Sequence, residues 1–281
     1  EASIRELAAR AAEAALSDAG VERVDALYVA NMVAGQLSDQ EHLGALLADA
    51  AGLRGVEAVR IEAADASGGA ALRQAYLSVA SGAVDVAMVL GAEKFTDTMG
   101  SKRINAMGSG LDAEFELEQG GTPAAMAALL MQRYLYEHGA QVADFAGFSV
   151  NAHTNGAKNP NAMYRNRIKP ESFARAPQVA IPVSLFDAAP EGDGAAALIL
   201  TATEQARDLV PQPVRIRASS GATDALAVQD RADPLALAAA RISADRAYRQ
   251  AGIGPEDISF FELHDSFTVM AALSLEAAGL A

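Results

Sequence analysis

The chain carries an internal repeat. Asp18-Ala19-Gly20-Val21, followed by Asp25 and the run Ala26–Ala30, matches Gln250-Ala251-Gly252-Ile253, followed by Asp257 and the run Ile258–Glu262, register for register. Each match follows an Ala-rich segment, and each glycine stands where a helix stops. A helix, a stop and a strand repeated in this way point to two copies of one unit, which restricts the fold to duplicated architectures. The surroundings show which kind. Helical spacing over residues 3–19, 41–51 and 66–80 alternates with short apolar runs over 26–30, 56–61 and 84–90, the pattern of an α/β fold.

The later part reads similarly, with strands over 194–201, 214–218 and 258–263, a helix over 234–251 and another from Thr268 onward. Residues 95–180 differ. They hold a helix over 123–138, a tract from Asn151 to Lys169 with five Asn, and no expected strand ladder, so they read as an insertion lying over the sheets. The expected organisation is an N-terminal α/β half over 1–94, a loop domain over 95–180 and a C-terminal α/β half over 181–281. The first copy continues from its strand to residue 91 through helix, strand, helix and strand, whereas the second has one further helix, and no strands precede the helix at Ser3. The expectation is a sequence trimmed at both ends.

Composition narrows the chemistry. With no cysteine in 281 residues, disulfides, thiolate zinc sites, iron–sulfur clusters and a cysteine nucleophile are excluded. A balance of 22 basic against 36 acidic residues, net −14, argues against a nucleic-acid or anionic-membrane surface, so an anionic ligand needs a local basic patch. The longest apolar runs, such as 84–90, are too short to span a bilayer, and the first residues have no signal-peptide pattern. A cytoplasmic protein is expected.

Three segments can carry chemistry. In Ile61-Glu62-Ala63-Ala64-Asp65-Ala66-Ser67-Gly68-Gly69-Ala70 a strand enters, small residues turn and a helix leaves. Asp65 at the first helical position is either a helix N-cap or a side chain presented where exposed amides favour negative charge, with Gly68 and Gly69 permitting close approach of a ligand. Phe261-Glu262-Leu263-His264-Asp265-Ser266-Phe267-Thr268 lies at the end of an expected strand. His264 there is a hydrogen-bond donor or general base, or a satisfied polar residue with Asp265 or Ser266 capping the next helix. Their adjacency rules out a Ser-His-Asp triad among these three. The run Tyr164, Arg165, Asn166, Arg167, Lys169, with Lys158 nearby, is a phosphate patch or a solvated loop. His42, His138 and His153 show no paired metal-ligand spacing and receive no role beyond surface or packing.

These residues together resemble a known family. The turn Glu62-Ala63-Ala64, then Ala66-Ser67-Gly68-Gly69-Ala70-Ala71-Leu72, looks like the nucleophile turn of thiolases. Ala30-Asn31-Met32, Gly35, Gln40-Glu41-His42-Leu43-Gly44, Gly91-Ala92-Glu93-Lys94 and Asp193-Gly194-Ala195-Ala196-Ala197 strengthen the match. His264-Asp265-Ser266-Phe267 resembles the branch of sterol-carrier-type and archaeal acetoacetyl-CoA thiolases, where His stands in for the Asn of other thiolases. The resemblance covers essentially the whole chain. It implies two βαβαβ halves in five layers (αβαβα), coenzyme A thioesters as substrates with no covalently bound cofactor and no metal, and a homodimer or tetramer. It also makes Arg165, Arg167 and Lys169 candidates for contacting CoA phosphates, and places Gly68, Gly69, Ser266 and Phe267 in the substrate-binding set.

One departure decides how far activity carries over. The resemblance puts Asp65 where the family has its acyl-accepting Cys, and puts the second catalytic Cys and the Gly-His-Pro histidine beyond Ala281, leaving His264 of the catalytic set. A carboxylate is a poorer nucleophile toward a thioester, its acyl product is a water-labile anhydride, and its charge opposes an enolate. Three readings follow: an acyl-CoA C-acyltransferase impaired by a substituted or modified Cys position; a thiolase-fold β-hydroxyacyl-CoA lyase working by retro-aldol cleavage with a Tyr or His base; or a non-catalytic CoA-binding scaffold, paired with a small partner subunit.

Overall fold

The computed structural model describes residues 2–281 as two compact units, one of residues 2–106 with 192–219 and one of 107–191 with 220–281. The helices are α1 (Ile4–Ala19), α2 (Ala34–Leu37), α3 (Leu43–Ala50), α4 (Ser67–Ala80), α5 (Ser101–Gly108), α6 (Pro123–His138), α7 (Ala146–Gly156), α8 (Pro170–Ala174), α9 (Thr203–Leu209), α10 (Ala238–Ala251) and α11 (Thr268–Ala277). The strands are β1 (Ala26–Ala30), β2 (Glu57–Ile61), β3 (Val86–Glu93), β4 (Gln178–Ala180), β5 (Val183–Ser184) and β6 (Gly194–Thr201).

The first unit is built on a sheet of order β2-β1-β3-β6, in which the first three strands are parallel and β6 runs antiparallel to β3. β1 is buried at all five positions because it has neighbours on both edges and helices on both faces. Side-chain alternation sorts its residues. Leu27 and Val29, with Met88 and Leu90 of β3, pack under Ala8 and Ala12 of α1 and Leu43 and Leu47 of α3. Ala26, Tyr28 and Ala30, with Ala87 and Val89, face Ala71 and Ala75 of α4. Tyr28 Oη lies 2.8 Å from Ser78 Oγ, so this phenol is satisfied where it is buried. A Cβ on Gly44 would come within 2.9 Å of the Val59 backbone, so that glycine lets α3 lie directly on β2. α1 begins in the box formed by Ser3 and Glu6 and ends at Gly20 in the left-handed conformation.

β6, which the repeat places at the head of the second copy, closes the first unit's sheet instead. Its small start, Gly194-Ala195-Ala196-Ala197, pairs with Leu90–Glu93, and Ala195, Ala197 and Ile199 pack on the α1 side. Two expected strands do not form. Residues 214–218 and 258–263 are irregular chain without ladder partners among the described residues, and Val214 and Phe260 are 97% and 80% exposed. An apolar run becomes a strand only when another strand takes its amides and carbonyls. The long helix also starts later than expected, at Ala238, after Leu237 in the left-handed region.

The second unit packs α6, α7, α8 and α11 around Met131, Phe145, Phe173, Val269 and Leu273. The expectation of no ladder over 95–180 fails at its edge, where β4 pairs antiparallel with β5. Among the described residues, no helix is long and apolar enough to cross a membrane.

Candidate active site

In the first unit, the chain passes from β1 to β2 on one side and returns to β3 on the other, so the carboxyl ends of β1, β2 and β3 lie at the point where the strand order reverses. That is where open α/β sheets leave a crevice for ligands. Asn31, Glu62 and Glu93 all lie at this edge. Asn31, buried, donates through Nδ2 to the Ala92 carbonyl (2.8 Å) and Glu93 Oε1 (2.7 Å), while its Oδ1 accepts from the Ala34 amide (3.0 Å). Glu93 Oε2 accepts from the Met32 and Val33 amides at 2.9 and 3.2 Å. Arg60 donates to the Met32 carbonyl (2.6 Å) and pairs with Glu41 at 3.1 Å. Motif residues that sequence reading used only as markers therefore build the rim beside the Glu62–Gly69 turn.

The turn itself is held tightly. Ala64 has φ +48°, a left-handed conformation that an L side chain disfavours by roughly 1 kcal/mol. Ser67, buried, secures it: its Oγ donates to the Ala64 carbonyl (2.6 Å) and accepts from the Ala63 amide (2.9 Å). Strain of this kind, next to a glycine-bearing helix start, is the type of feature that clusters at functional sites. The helix-cap reading of Asp65 does not hold. α4 starts at Ser67, its cap position is Ala66, and no side chain caps it, because Ala66 and Ser67 close the turn through their own amides onto Ala63 and Ala64. Asp65 is exposed, as are Gly68 and Gly69, and a Cβ on either glycine would meet nothing within 4 Å. The first turn of α4 is thus open at Gly68 and Gly69.

A second polar cluster joins the ends of β3 and β6. Asp193 accepts from Lys94 Nζ (2.5 Å), Thr96 Oγ1 (2.5 Å) and the Phe95 and Thr96 amides (2.7 and 2.9 Å). Burial alone would raise its pKa, but these donors outweigh it and hold the carboxyl well below the usual carboxylate range. Lys94, itself buried, is raised by its hydrogen bonds to Asp193 and Asp97, with burial opposing.

The remaining predicted residues lie in the second unit. His264 and Asp265 are exposed and follow irregular chain, not the expected strand. Neither Asp265 nor Ser266 caps α11, whose cap position is Phe267 without a side-chain bond, because the segment is tied to a neighbouring stretch instead. The Ser266 carbonyl accepts from the Ala189 amide, Ala188 bridges Phe267, and the Thr268 amide donates to the Asp187 carbonyl, both hydrogen bonds at 2.9 Å. Asp187 was missed by sequence reading. It is buried, and its carboxylate accepts from Ser184 amide and hydroxyl (2.8 and 2.7 Å) and from Thr268 Oγ1 (2.5 Å). A lone carboxylate in the run Val183–Ala189 was the available signal. Phe267 packs against the second unit's core. Arg165, Arg167 and Lys169 are exposed on one loop; Arg165 reaches the Pro160 carbonyl (3.3 Å), and no ion pair neutralises any of the three among the described residues. A hollow of about 210 Å³ lined by Tyr134, Phe145, Phe148, Leu275 and Glu276 includes none of these residues. There Tyr134 donates to Glu276 (2.6 Å), which with burial pushes its pKa up to about 12.

Residues 1–180 match the family described as thiolase, N-terminal domain, and residues 220–281 match the thiolase C-terminal domain-like family. The chain belongs to the thiolase family. It is 38% identical over 281 residues to an acetyl-CoA acetyltransferase of Methanothermobacter thermautotrophicus, covering 99% of this chain and 73% of that one. It is 31% identical to the 17-hydroxy-3-oxo-4-pregnene-20-carboxyl-CoA lyase of Mycobacterium tuberculosis, over 75% of this chain and 59% of that one. Its structure matches the Ltp2-ChsH2(DUF35) aldolase with a TM-score of 0.83 and 26% identity, over 100% of this chain and 73% of that one. The mixed α/β architecture expected from sequence is thus that of a thiolase.

Proposed function

We propose that this chain is a thiolase-type acyl-CoA C-acyltransferase of the acetyl-CoA acetyltransferase kind, acting on coenzyme A thioesters, with its acyl-transfer step impaired by Asp65. The observation that carries the reading is the turn at the carboxyl edge of the parallel sheet: a left-handed Ala64 and a buried Ser67 hold it, and it places an exposed Asp65 beside the open glycines at the start of α4. Likeness to an acetyl-CoA acetyltransferase along 99% of the chain supports the substrate class.

In this reading Asp65 occupies the nucleophile position and the amides of α4, with Gly68 and Gly69, leave room for the thioester. Attack by its carboxylate on the acyl carbonyl would expel CoA thiolate and form a mixed anhydride, which water hydrolyses back to the carboxylate and the free acid. Its negative charge also disfavours the enolate of a Claisen step. His264 is the hydrogen-bond donor or base of the set, held through Ser266 and Phe267 by the 187–189 segment; Arg165, Arg167 and Lys169 receive the CoA phosphates. No covalently bound cofactor enters. A homodimer or tetramer, a small partner subunit and a cytoplasmic setting belong to the same reading.

A second reading has its own support. The chain contains no cysteine and resembles a carboxyl-CoA lyase and an aldolase, so retro-aldol cleavage of a β-hydroxyacyl-CoA is the alternative. One assay separates the two. With acetoacetyl-CoA and added CoA, the chain should give slow thiolysis at most, and Asp65→Cys should accelerate loss of CoA from the acyl donor. Thiolysis by the Asp65 protein at an ordinary thiolase rate would refute the impairment. Release of a ketone or aldehyde from a hydroxyacyl-CoA without added CoA would favour the lyase, and CoA binding in calorimetry without either reaction would leave a scaffold.

A further inference from the structure

His153, which sequence reading left without a role, is the best-placed residue to order the basic loop. It lies in α7, and its Nδ1 is 2.9 Å from the Asn166 carbonyl oxygen. A carbonyl only accepts, so Nδ1 carries the proton in this contact. The same ring stacks on Tyr164, with centroids 6.4 Å apart and planes 14° from parallel, and meets Phe186 edge-on at 5.6 Å. Asn166 separates Arg165 from Arg167, and Tyr164 precedes both, so one imidazole grips the segment at two points around its cations. A third contact reinforces the grip. At the end of α7, a Cβ on Gly156 would lie 2.9 Å from the Tyr164 carbonyl, so the bare glycine lets the loop close onto the helix. Beyond these contacts the segment is exposed, with Ile168 half-buried.

We propose that His153 is a positioning residue that holds Arg165, Arg167 and Lys169 in a fixed array for the phosphates of a CoA ligand. This rests on the reading above that the basic loop receives those phosphates. The physical basis is ordering. Long cationic side chains on a loose loop lose backbone and rotamer freedom on binding an anion, whereas a loop already pinned by a hydrogen bond and a ring stack loses less. The effect falls on the phosphate-bearing part of the ligand only, since His153 acts through the loop.

The test is calorimetric titration of the whole chain with CoA and with pantetheine, which lacks the nucleotide and its phosphates. The ratio of the two affinities reads the phosphate contribution, and a general loss of structure does not selectively lower it. His153→Ala should lower the ratio by about three- to tenfold, the equivalent of one hydrogen bond with its ordering. His153→Asn, whose amide can still donate to Asn166, should retain most of it, and His153→Phe, which keeps a ring without a donor, should lower it. An unchanged ratio in His153→Ala, with a fall in the triple variant Arg165→Ala/Arg167→Ala/Lys169→Ala, overturns the role of His153 and leaves the reading standing. An unchanged ratio in the triple variant, or no CoA binding by the starting chain, overturns the reading and this inference together. Should His153→Ala not fold, the Asn and Phe variants decide, and equal ratios in those two overturn the hydrogen-bond role.

Discussion

Ala26–Ala30 and Ile258–Glu262 occupy matched positions of the repeat, yet the first is a strand paired on both edges and the second is irregular chain with no ladder among the described residues. Intrinsic preference runs the other way, since Ala is a weak strand former and Phe260 and Phe261 are strong ones. The partners differ. β1 has β2 on one edge and β3 on the other, with α1 and α3 on one face and α4 on the other. The preceding aspartates follow suit. Asp25 accepts from the Asp85 and Val86 amides at 3.0 and 2.9 Å and so ties the start of β1 to β3, while Asp257 accepts from the Gly254 amide at 3.0 Å and closes its own short turn. One sequence pattern therefore supplies a strand where neighbours take its backbone groups, and an exposed, unpaired segment where no described residue does.

The largest way to break this comparison is a charge placed at equivalent positions. Val29 is fully buried, so Val29→Asp should cost more than about 4 kcal/mol and leave no cooperative melt. Its counterpart Phe261 is 42% exposed, and Phe261→Asp should change stability by less than about 1 kcal/mol in the same thermal melt. Comparable losses from the two substitutions would mean that residues 258–262 are packed as β1 is.

A smaller effect tests the far edge of the sheet that makes β1 central. Asp193→Asn removes one of the two carboxylates paired with buried Lys94, leaving Asp97, and with it the charged clamp between the ends of β3 and β6, which should cost about 2–3 kcal/mol in denaturant unfolding. The pH dependence has a definite sign. Because the folded-state pKa of Asp193 lies below its unfolded value, its contribution is fully present above roughly pH 4–5 and is lost progressively as the pH falls toward the folded value. Lys94 is raised, so its contribution is present below its ordinary pKa of about 10.4 and fades only in strong alkali. Asp193→Asn should flatten the acid limb; an unchanged slope between pH 5 and 3 would assign that limb to other carboxylates.

What could be read in advance follows from where each feature is determined. β1, β3, α1 and α4 were legible because their periodicity is local and their partners lie within the same copy. The failures at 214–218 and 258–263 have the opposite cause: pairing is supplied by distant chain, and a run of Ile, Phe and Leu carries no record of whether a neighbour exists. The tight turn around Asp65 was legible from its small residues and glycines, but its capping residue was not, since Ser67 bonds back to Ala63 and Ala64 and displaces the cap to Ala66. Asp187 escaped because its three donors come from Ser184 and from Thr268, eighty-one positions away. His153 escaped for a related reason: an isolated histidine was tested for metal spacing, whereas its partners are a carbonyl and two rings.

The smallest predicted effect is also the most direct on the comparison, because it uses the two aspartates that open the matched runs. Asp25→Ala removes the acceptor for two amides at the junction of β1 and β3, and with hydrogen bonds of this exposed kind the loss should be about 1 kcal/mol of global stability. Asp257→Ala removes an acceptor whose donor lies three residues away in the same turn, so the loss should stay local: the global melt should hold within about 0.5 kcal/mol while the 255–257 turn frays. Native-state hydrogen exchange separates the two. In Asp25→Ala the amides of Asp85 and Val86 should exchange faster together with a general fall in protection across β1, whereas in Asp257→Ala acceleration should be confined to Gly254 and its neighbours. If Asp257→Ala instead lowers the protection of the whole second unit, the turn at 254–257 is joined to that unit's core, and the unpaired run that follows it is an ordered part of the fold in its own right.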